Sequence, residues 1–267
     1  MEAPVYNPAR QAKAAAVVEL LRRVEKDYSP ATYSCSFAAE SMMVVDMIAR
    51  HKLNIEIFTL DTGRLPDETY ELMHRVKQHY GVRIQVYFPQ TEAIQNFVRE
   101  HGLNAFRPAG EQVIRLDELR RADDTAAVKA ALAPFIAHRQ TCCGIRKVEP
   151  LSRALAGKKA WISGLRRAQS VTRKDLQVEE YDAEHGLAKF NPLVDWTEND
   201  VWAYIHHFGV PYNELHDRGY PSIGCAPCTR PIARGEDIRA GRWWWEDPES
   251  KECGLHVHKK DKIAEIS

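Results

Sequence analysis

The sequence predicts an α/β fold, a parallel twisted sheet flanked by helices and followed by a loop-rich C-terminal tail. Three observations predict it. Short apolar runs rich in strand-forming residues recur along the first 200 positions, as in ATYSCSF, IEIFTLDTG and RIQVYFP. A segment of helical periodicity follows each one. Strand–helix alternation of this kind builds a parallel sheet with helices on both faces. From Pro221 onward the pattern stops, and Gly, Pro, Trp and charged residues take over.

The elements follow in order. The stretch MEAPVYNPARQAKAAAVVELLRRVEKDY reads as a helix over 1–28, with Val17, Val18, Leu20, Leu21 and Val24 on its apolar face. ATYSCSF is the first strand and ESMMVVDMIARHK the helix after it. IEIFTLDTG is the second strand, ending in a Gly turn. LPDETYELMHRVKQHYG is a helix with Pro near its start and Gly at its end. RIQVYFP is the third strand, and TEAIQNFVREHG a helix capped by Thr91. Residues 107–138 are charged, with Ala-rich helical stretches, and read as a helical insertion. KKAWISG is a further strand, and FNPLVDW ends the sheet. TENDVWAYIHHFG is a helix capped by Thr197.

Composition excludes some functions. Of 267 residues, 37 are basic and 37 acidic, so the formal net charge is zero. Zero net charge argues against a non-specific nucleic-acid or membrane-surface binder. No apolar run reaches membrane-spanning length. The expectation is a soluble cytoplasmic protein, in which six cysteines serve as metal ligands or catalytic groups rather than structural disulfides.

Cys142 and Cys143 are adjacent, and neighbouring thiols bond each other only with strain. They pair naturally with Cys225 and Cys228 of a C-x-x-C, and four thiolates can hold zinc or an iron–sulfur cluster. Adjacent ligands at a helix start suit the corners of a bulky cubane better than one small ion. Cys253, in KECGLHVHKK, is a different case. Lys251, His256, His258, Lys259 and Lys260 surround it in sequence, and cationic neighbours favour a thiolate nucleophile. Cys35 lies in the first strand and reads as a small buried hydrophobe.

In a parallel sheet, ligands bind at the carboxyl ends of the strands. Three turns lie there: SCSFAAES, LDTGR and SGLRRAQSVTR. The first can offer backbone N–H groups and Ser hydroxyls at a helix N-terminus, where phosphate binds well. Lys147, Arg166, Arg167, Arg173, Arg239 and Arg242 supply the positive charge. Trp243, Trp244 and Trp245 read as packing of the tail against the core.

Together these residues resemble the adenylyl-sulfate / phosphoadenylyl-sulfate reductase family of assimilatory sulfate reduction. The motifs are SFAAES, LDTGRLPDETY, CCGIRKVEPL, SGLRRAQSVTR, KFNPLVDWT, GYPSIGCAPCTRP, GRWWWE and KECGLH, spread over residues 32–256. The resemblance implies an adenine-nucleotide α-hydrolase-like fold with SFAAES as a modified pyrophosphate loop. Ala38 and Ser41 depart from the family pattern, which has Gly and Asp there. The CC…C-x-x-C set implies the branch that carries a [4Fe–4S] cluster on Cys142, Cys143, Cys225 and Cys228 and uses adenylyl sulfate. Use of the 3′-phosphorylated substrate, alone or as well, is the alternative. A pyrophosphatase of the same fold and a non-catalytic zinc module are remoter ones.

The implied mechanism makes Cys253 the nucleophile toward the phosphosulfate and reduced thioredoxin (or glutaredoxin) the electron donor. Lys147, Arg239, Arg242 and His256 are expected around the phosphosulfate. Ser36, Gly63, Gly164, Arg166, Arg167 and Arg173 are expected around the nucleotide. On a helix, Lys147 would share a face with Cys143 and link cluster to sulfate. The implied organisation is one nucleotide-binding reductase domain over 1–232, a mobile catalytic tail over 233–267, and a homo-oligomer.

Overall fold

The computed structural model describes residues 4–170 and 173–246. The chain opens with α1 (Pro8–Asp27), whose Asn7 side chain accepts a hydrogen bond from the Arg10 N–H at 3.0 Å. Pro8 starts the helix, where its missing N–H costs nothing. Ala14, Val17, Val18, Leu21 and Val24 form its buried stripe. Then come β1 (Ala31–Ser34), α2 (Ala39–Arg50), β2 (Glu56–Leu60), α3 (Asp67–Tyr80), β3 (Ile84–Tyr87) and α4 (Thr91–His101). Thr91 is already inside α4, and Gln90 precedes the helix without a side-chain cap, so the expected Thr91 cap is not made.

Helices α5 (Glu111–Arg121) and α6 (Thr125–Cys143) occupy the segment read as an insertion at 107–138. That segment does not close on itself at 138. Helix α6 carries on through Cys142 and Cys143 into a π-helical turn at 144–148 and then α7 (Glu149–Leu155). The charged stretch is therefore the stalk that presents two of the cysteines. The π turn also changes the expected register, because its i→i+5 bonding widens the turn. Lys147 is placed by that turn and not by an α-helical i,i+4 relation to Cys143.

β4 (Ala160–Ile162) is followed by an antiparallel hairpin of β5 (Glu179–Asp182) and β6 (Leu187–Phe190), then α8 (Glu198–Phe208). Among the described residues the sheet runs β3-β2-β1-β4-β6-β5, parallel except for β5. β5 was not expected. Its EEYD sequence alternates exposed and half-buried positions at the sheet edge, so it has no apolar run to signal it. Thr197 caps α8 as expected, in a capping box with Asp200. Asp200 also receives Arg10 and Lys13 of α1, each at 2.8 Å.

Tyr33, Met42, Met43, Met47 and Phe190 fill the core between sheet and helices. Within it, α2 is held by a buried carboxylate. Asp46 accepts hydrogen bonds from Tyr80 at 2.9 Å, Tyr204 at 2.7 Å and Arg50 at 3.0 and 3.1 Å. This network fixes the helix whose N-terminus faces the cleft described below. Asp46→Ala would strand two tyrosine hydroxyls in the core. Urea unfolding should then show a loss of roughly 2–6 kcal/mol, at about 1–3 kcal/mol per unpaired group. Among the described residues, no helix is long and apolar enough to cross a membrane.

Candidate functional site

Four cysteines converge on one cavity. Cys142 and Cys143 end α6, while Cys225 precedes and Cys228 ends a 3₁₀ turn at 226–228. None of the four is in a disulfide. The C-x-x-C turn is built locally and docked by backbone bonds. Cys228 N–H donates to Cys225 O at 3.0 Å, and Ala226 N–H donates to Arg64 O at 2.8 Å. Thr229 Oγ1 donates to Cys225 O at 2.9 Å, and Thr62 Oγ1 lies 3.2 Å from Cys225 Sγ. The LDTGR turn thus serves the cysteines. Its Gly63 has φ +67°, which favours glycine, and it faces Arg146, whose Nη1 donates to Thr62 O at 2.6 Å.

Arg64, Arg139, Arg146, Lys147 and Arg242 rim this cavity, with Phe106, Pro227 and Trp243. Burial pushes the Cys142 thiol up, and Arg146 and Arg64 pull it back. Burial, then the neighbouring Cys225, pushes Cys228 up to about 12, against the pull of Arg242 and Lys147. A metal that binds here must therefore displace protons from the thiols. Among the described residues, no three His, Cys, Asp or Glu side chains are gathered so as to hold a single metal ion.

The second cavity is a cleft of about 230 Å³ beyond the ends of β1, β2 and β4. Its floor is the loop from Cys35 to Ala38, with Phe37 at φ +59°. Ser41 closes the loop. Its hydroxyl accepts from Ser36 N–H at 3.1 Å and lies 2.8 Å from Ser36 Oγ. A serine thus ties this loop without adding charge. Ala38 gives the α2 N-terminus no side-chain cap, which leaves the helix start to a ligand. Gly164 approaches closely. A Cβ there would lie 3.3 Å from the Tyr33 hydroxyl and 3.6 Å from Ser41 N.

The cleft brings together Ser36, Lys147, Gly164, Arg173, Arg239 and Arg242. Gly63, Arg166 and Arg167 are not part of its lining. Arg166 is buried and its Nε donates to Glu40 Oε1 at 2.8 Å. Arg167 pairs with Asp195 and donates to Leu176 O. Both arginines thus fix the cleft's frame. Arg64, Arg139 and Arg146 around the thiols were not singled out from the sequence. Only the nearness of Arg139 and Arg146 to the CC pair could have drawn attention. Trp243 and Trp245 are buried and Trp244 is partly exposed, so the tail segment does pack against the molecule. Cys35 is buried, and its thiol is pushed up to about 12 by that burial. Cys253 and His256 lie outside the described residues.

Lys147, Arg242 and Trp243 line both cavities and form the wall between them. Arg242 stacks on the Trp243 ring at 4.6 Å, and its Nη1 donates to Ile223 O at 3.2 Å. Its guanidinium lies where a side chain on residue 224 would stand, so Gly224 is required for this arrangement.

Comparison with known proteins adds to this picture. The profile of the phosphoadenosine phosphosulfate reductase domain matches residues 30–133 and 115–231. The adenosine 5'-phosphosulfate reductase of Allochromatium vinosum is 50% identical over 249 residues, covering 93% of this chain and 86% of the relative. The Burkholderia cepacia protein of the same name is 46% identical over 255 residues, covering 96% and 92%. Among solved structures, a phosphate complex of the phosphoadenylyl-sulfate reductase from Candida auris superposes with a TM-score of 0.58 at 26% identity, covering 84% of this chain and 98% of that one. The FMN adenylyltransferase of Candida glabrata shares the fold, with a TM-score of 0.54 at 11% identity, covering 99% and 84%.

Proposed function

The chain belongs to the phosphoadenosine phosphosulfate reductase domain family, and on that premise we propose that it reduces adenosine 5'-phosphosulfate (APS) to sulfite and AMP in sulfate assimilation and cysteine biosynthesis. The observation that carries this reading is the shared wall of Lys147, Arg242 and Trp243. It puts a cationic cleft, fit for a nucleotide, directly against a four-cysteine cavity.

The cysteines fit a [4Fe–4S] cluster. Four thiols outside disulfides share one cavity, and the cations at its rim offset the charge of a thiolate-held cluster. When bound, the cluster supplies a fixed local charge beside the sulfate end of the substrate. The electrons come from thiols.

In this reading Cys253 thiolate attacks the sulfur of the phosphosulfate. A sulfur–sulfur bond forms, the bond from sulfur to the bridging oxygen breaks, and AMP leaves with that electron pair. Lys147, Arg239 and Arg242 screen the anionic oxygens as the thiolate approaches and stabilise the leaving phosphate. His256 is assigned to the same end by sequence. Ser36 and Gly164 with the α2 N-terminus, and Arg173, hold the nucleotide. Gly63, Arg166 and Arg167 support this site from behind the lining. Reduced thioredoxin or glutaredoxin then attacks Cys253 Sγ, and sulfite leaves with the electron pair. The donor's second thiol resolves the mixed disulfide and restores Cys253. A cytoplasmic location suits this thiol chemistry, because thiols stay reduced there.

The test is sulfite release with reduced thioredoxin, from APS and from its 3′-phosphorylated form. Strong preference for APS is expected. Use of the 3′-phosphorylated form alone would make this a phosphoadenylyl-sulfate reductase. Lys147→Ala should cut turnover by about 10²–10³-fold, the scale of one lost charge-stabilising group, while AMP binding weakens far less. An unchanged rate would remove Lys147 from the site. Gly224→Ala should displace Arg242 and weaken AMP binding about tenfold, read by calorimetry. Unchanged binding would show that Arg242 does not hold the ligand.

A further inference from the structure

We propose that Arg139 and Glu246 are a positioning pair that fixes the wall between the two cavities. Arg139 is on α6, one turn before Cys143, and is 2% exposed. Its Nε donates to Glu246 Oε1 at 2.6 Å, and the Glu246 side chain is fully enclosed. The Arg139 guanidinium also lies 4.8 Å from the centre of the Trp243 ring. Arg242 at 4.6 Å and Arg239 at 6.0 Å crowd the same ring. Three guanidiniums around one indole repel each other, and Glu246 brings a carboxylate into their midst.

The backbone needs holding too. Trp243 has φ +40°, a left-handed conformation that a bulky residue keeps only when its surroundings impose it. Glu246 N–H donates to Trp243 O at 2.8 Å and closes the turn. Trp243 N–H donates to Cys228 O at 3.2 Å and ties the turn to the C-x-x-C. The pair thus clamps the turn at both ends: Glu246 to the helix carrying Cys143, Trp243 to the loop carrying Cys228. Arg242, immediately before this turn, can reach the cleft only while the turn stands. Neither Arg139 nor Glu246 lines the cleft, so toward the nucleotide each acts through Trp243 and Arg242, while Arg139 also borders the cysteine cavity. The consequence for nucleotide binding rests on the function proposed above; the clamp itself does not.

Two variants of the cluster-loaded protein test this. Glu246→Gln keeps the shape and removes the charge. Arg139→Met with Glu246→Leu removes both charges and fills the space, a replacement that buried ion pairs often tolerate. Glu246→Gln should keep its iron, because Glu246 does not line the cysteine cavity. In both, amide exchange at Arg242, Trp243 and Glu246 should speed by about tenfold or more, while amides of β1 and β4 stay protected. AMP affinity should fall by about tenfold. A pair that only stabilises the fold would lower the melting temperature and leave those three amides and AMP affinity as in the wild type, which would overturn the proposal. Failure of both variants to fold would overturn it as well, making the pair a determinant of the fold. If the wild type itself binds no AMP, the function proposed for the cleft fails, and amide exchange still decides the clamp.

Discussion

Cys253→Ser should abolish sulfite release from APS and leave AMP binding intact. A serine hydroxyl cannot form the sulfur–sulfur bond on which the reaction depends. The basic residues Lys251, His256, His258, Lys259 and Lys260 near it in sequence favour the thiolate, the form that attacks. The nucleotide contacts assigned above lie elsewhere, on the SCSFAAES loop, Gly164 and Arg173. The measurement is sulfite release alongside calorimetric titration of AMP. Residual turnover near the wild-type rate would remove Cys253 from the chemistry.

Cys228→Ser should empty the four-cysteine cavity. Hydroxyl oxygen is a poor ligand for iron next to thiolate. The variant should purify with iron and acid-labile sulfide largely lost, without the brown colour, and with no APS turnover. Cys35→Ser is the control. Cys35 is also buried but sits just after β1, outside the four-cysteine cavity. It should keep its iron and lose about 1–3 kcal/mol of stability for a buried hydroxyl. Iron retained in Cys228→Ser, or lost in Cys35→Ser, would contradict the ligand set.

The sequence made much of this visible, for identifiable reasons. β1, β2 and β3 and the helices after them carry apolar periodicity that survives without tertiary information. The cysteine spacing pointed to one shared site because adjacent thiols have few other uses. What stayed hidden depended on distant partners or on local geometry that periodicity does not encode. Arg166 and Arg167 read as anion ligands beside the Gly164 turn. Arg166 instead meets Glu40, 126 positions earlier in the chain. Arg167 meets Asp195. A basic residue at a strand end is ambiguous until its neighbours are known. The π turn at 144–148 is equally invisible in sequence, yet it decides where Lys147 points. The edge strand β5 is polar on its exposed face and so lacks the signal of a buried strand. The segment 107–138 reads correctly as helical, but as an insertion that stops at 138, whereas its second helix runs on into the cysteine pair.

The reaction requires a covalent adduct at one thiol. Incubating the cluster-loaded protein with APS and no reductant should release AMP and leave one SO₃ group on the protein. Mass spectrometry of the digested protein should find that group on the peptide carrying Cys253, in amounts equal to the AMP released. Adding reduced thioredoxin should remove it as sulfite. An adduct on Cys35 or on any of the four cavity cysteines, or AMP release with no adduct at all, would contradict the mechanism.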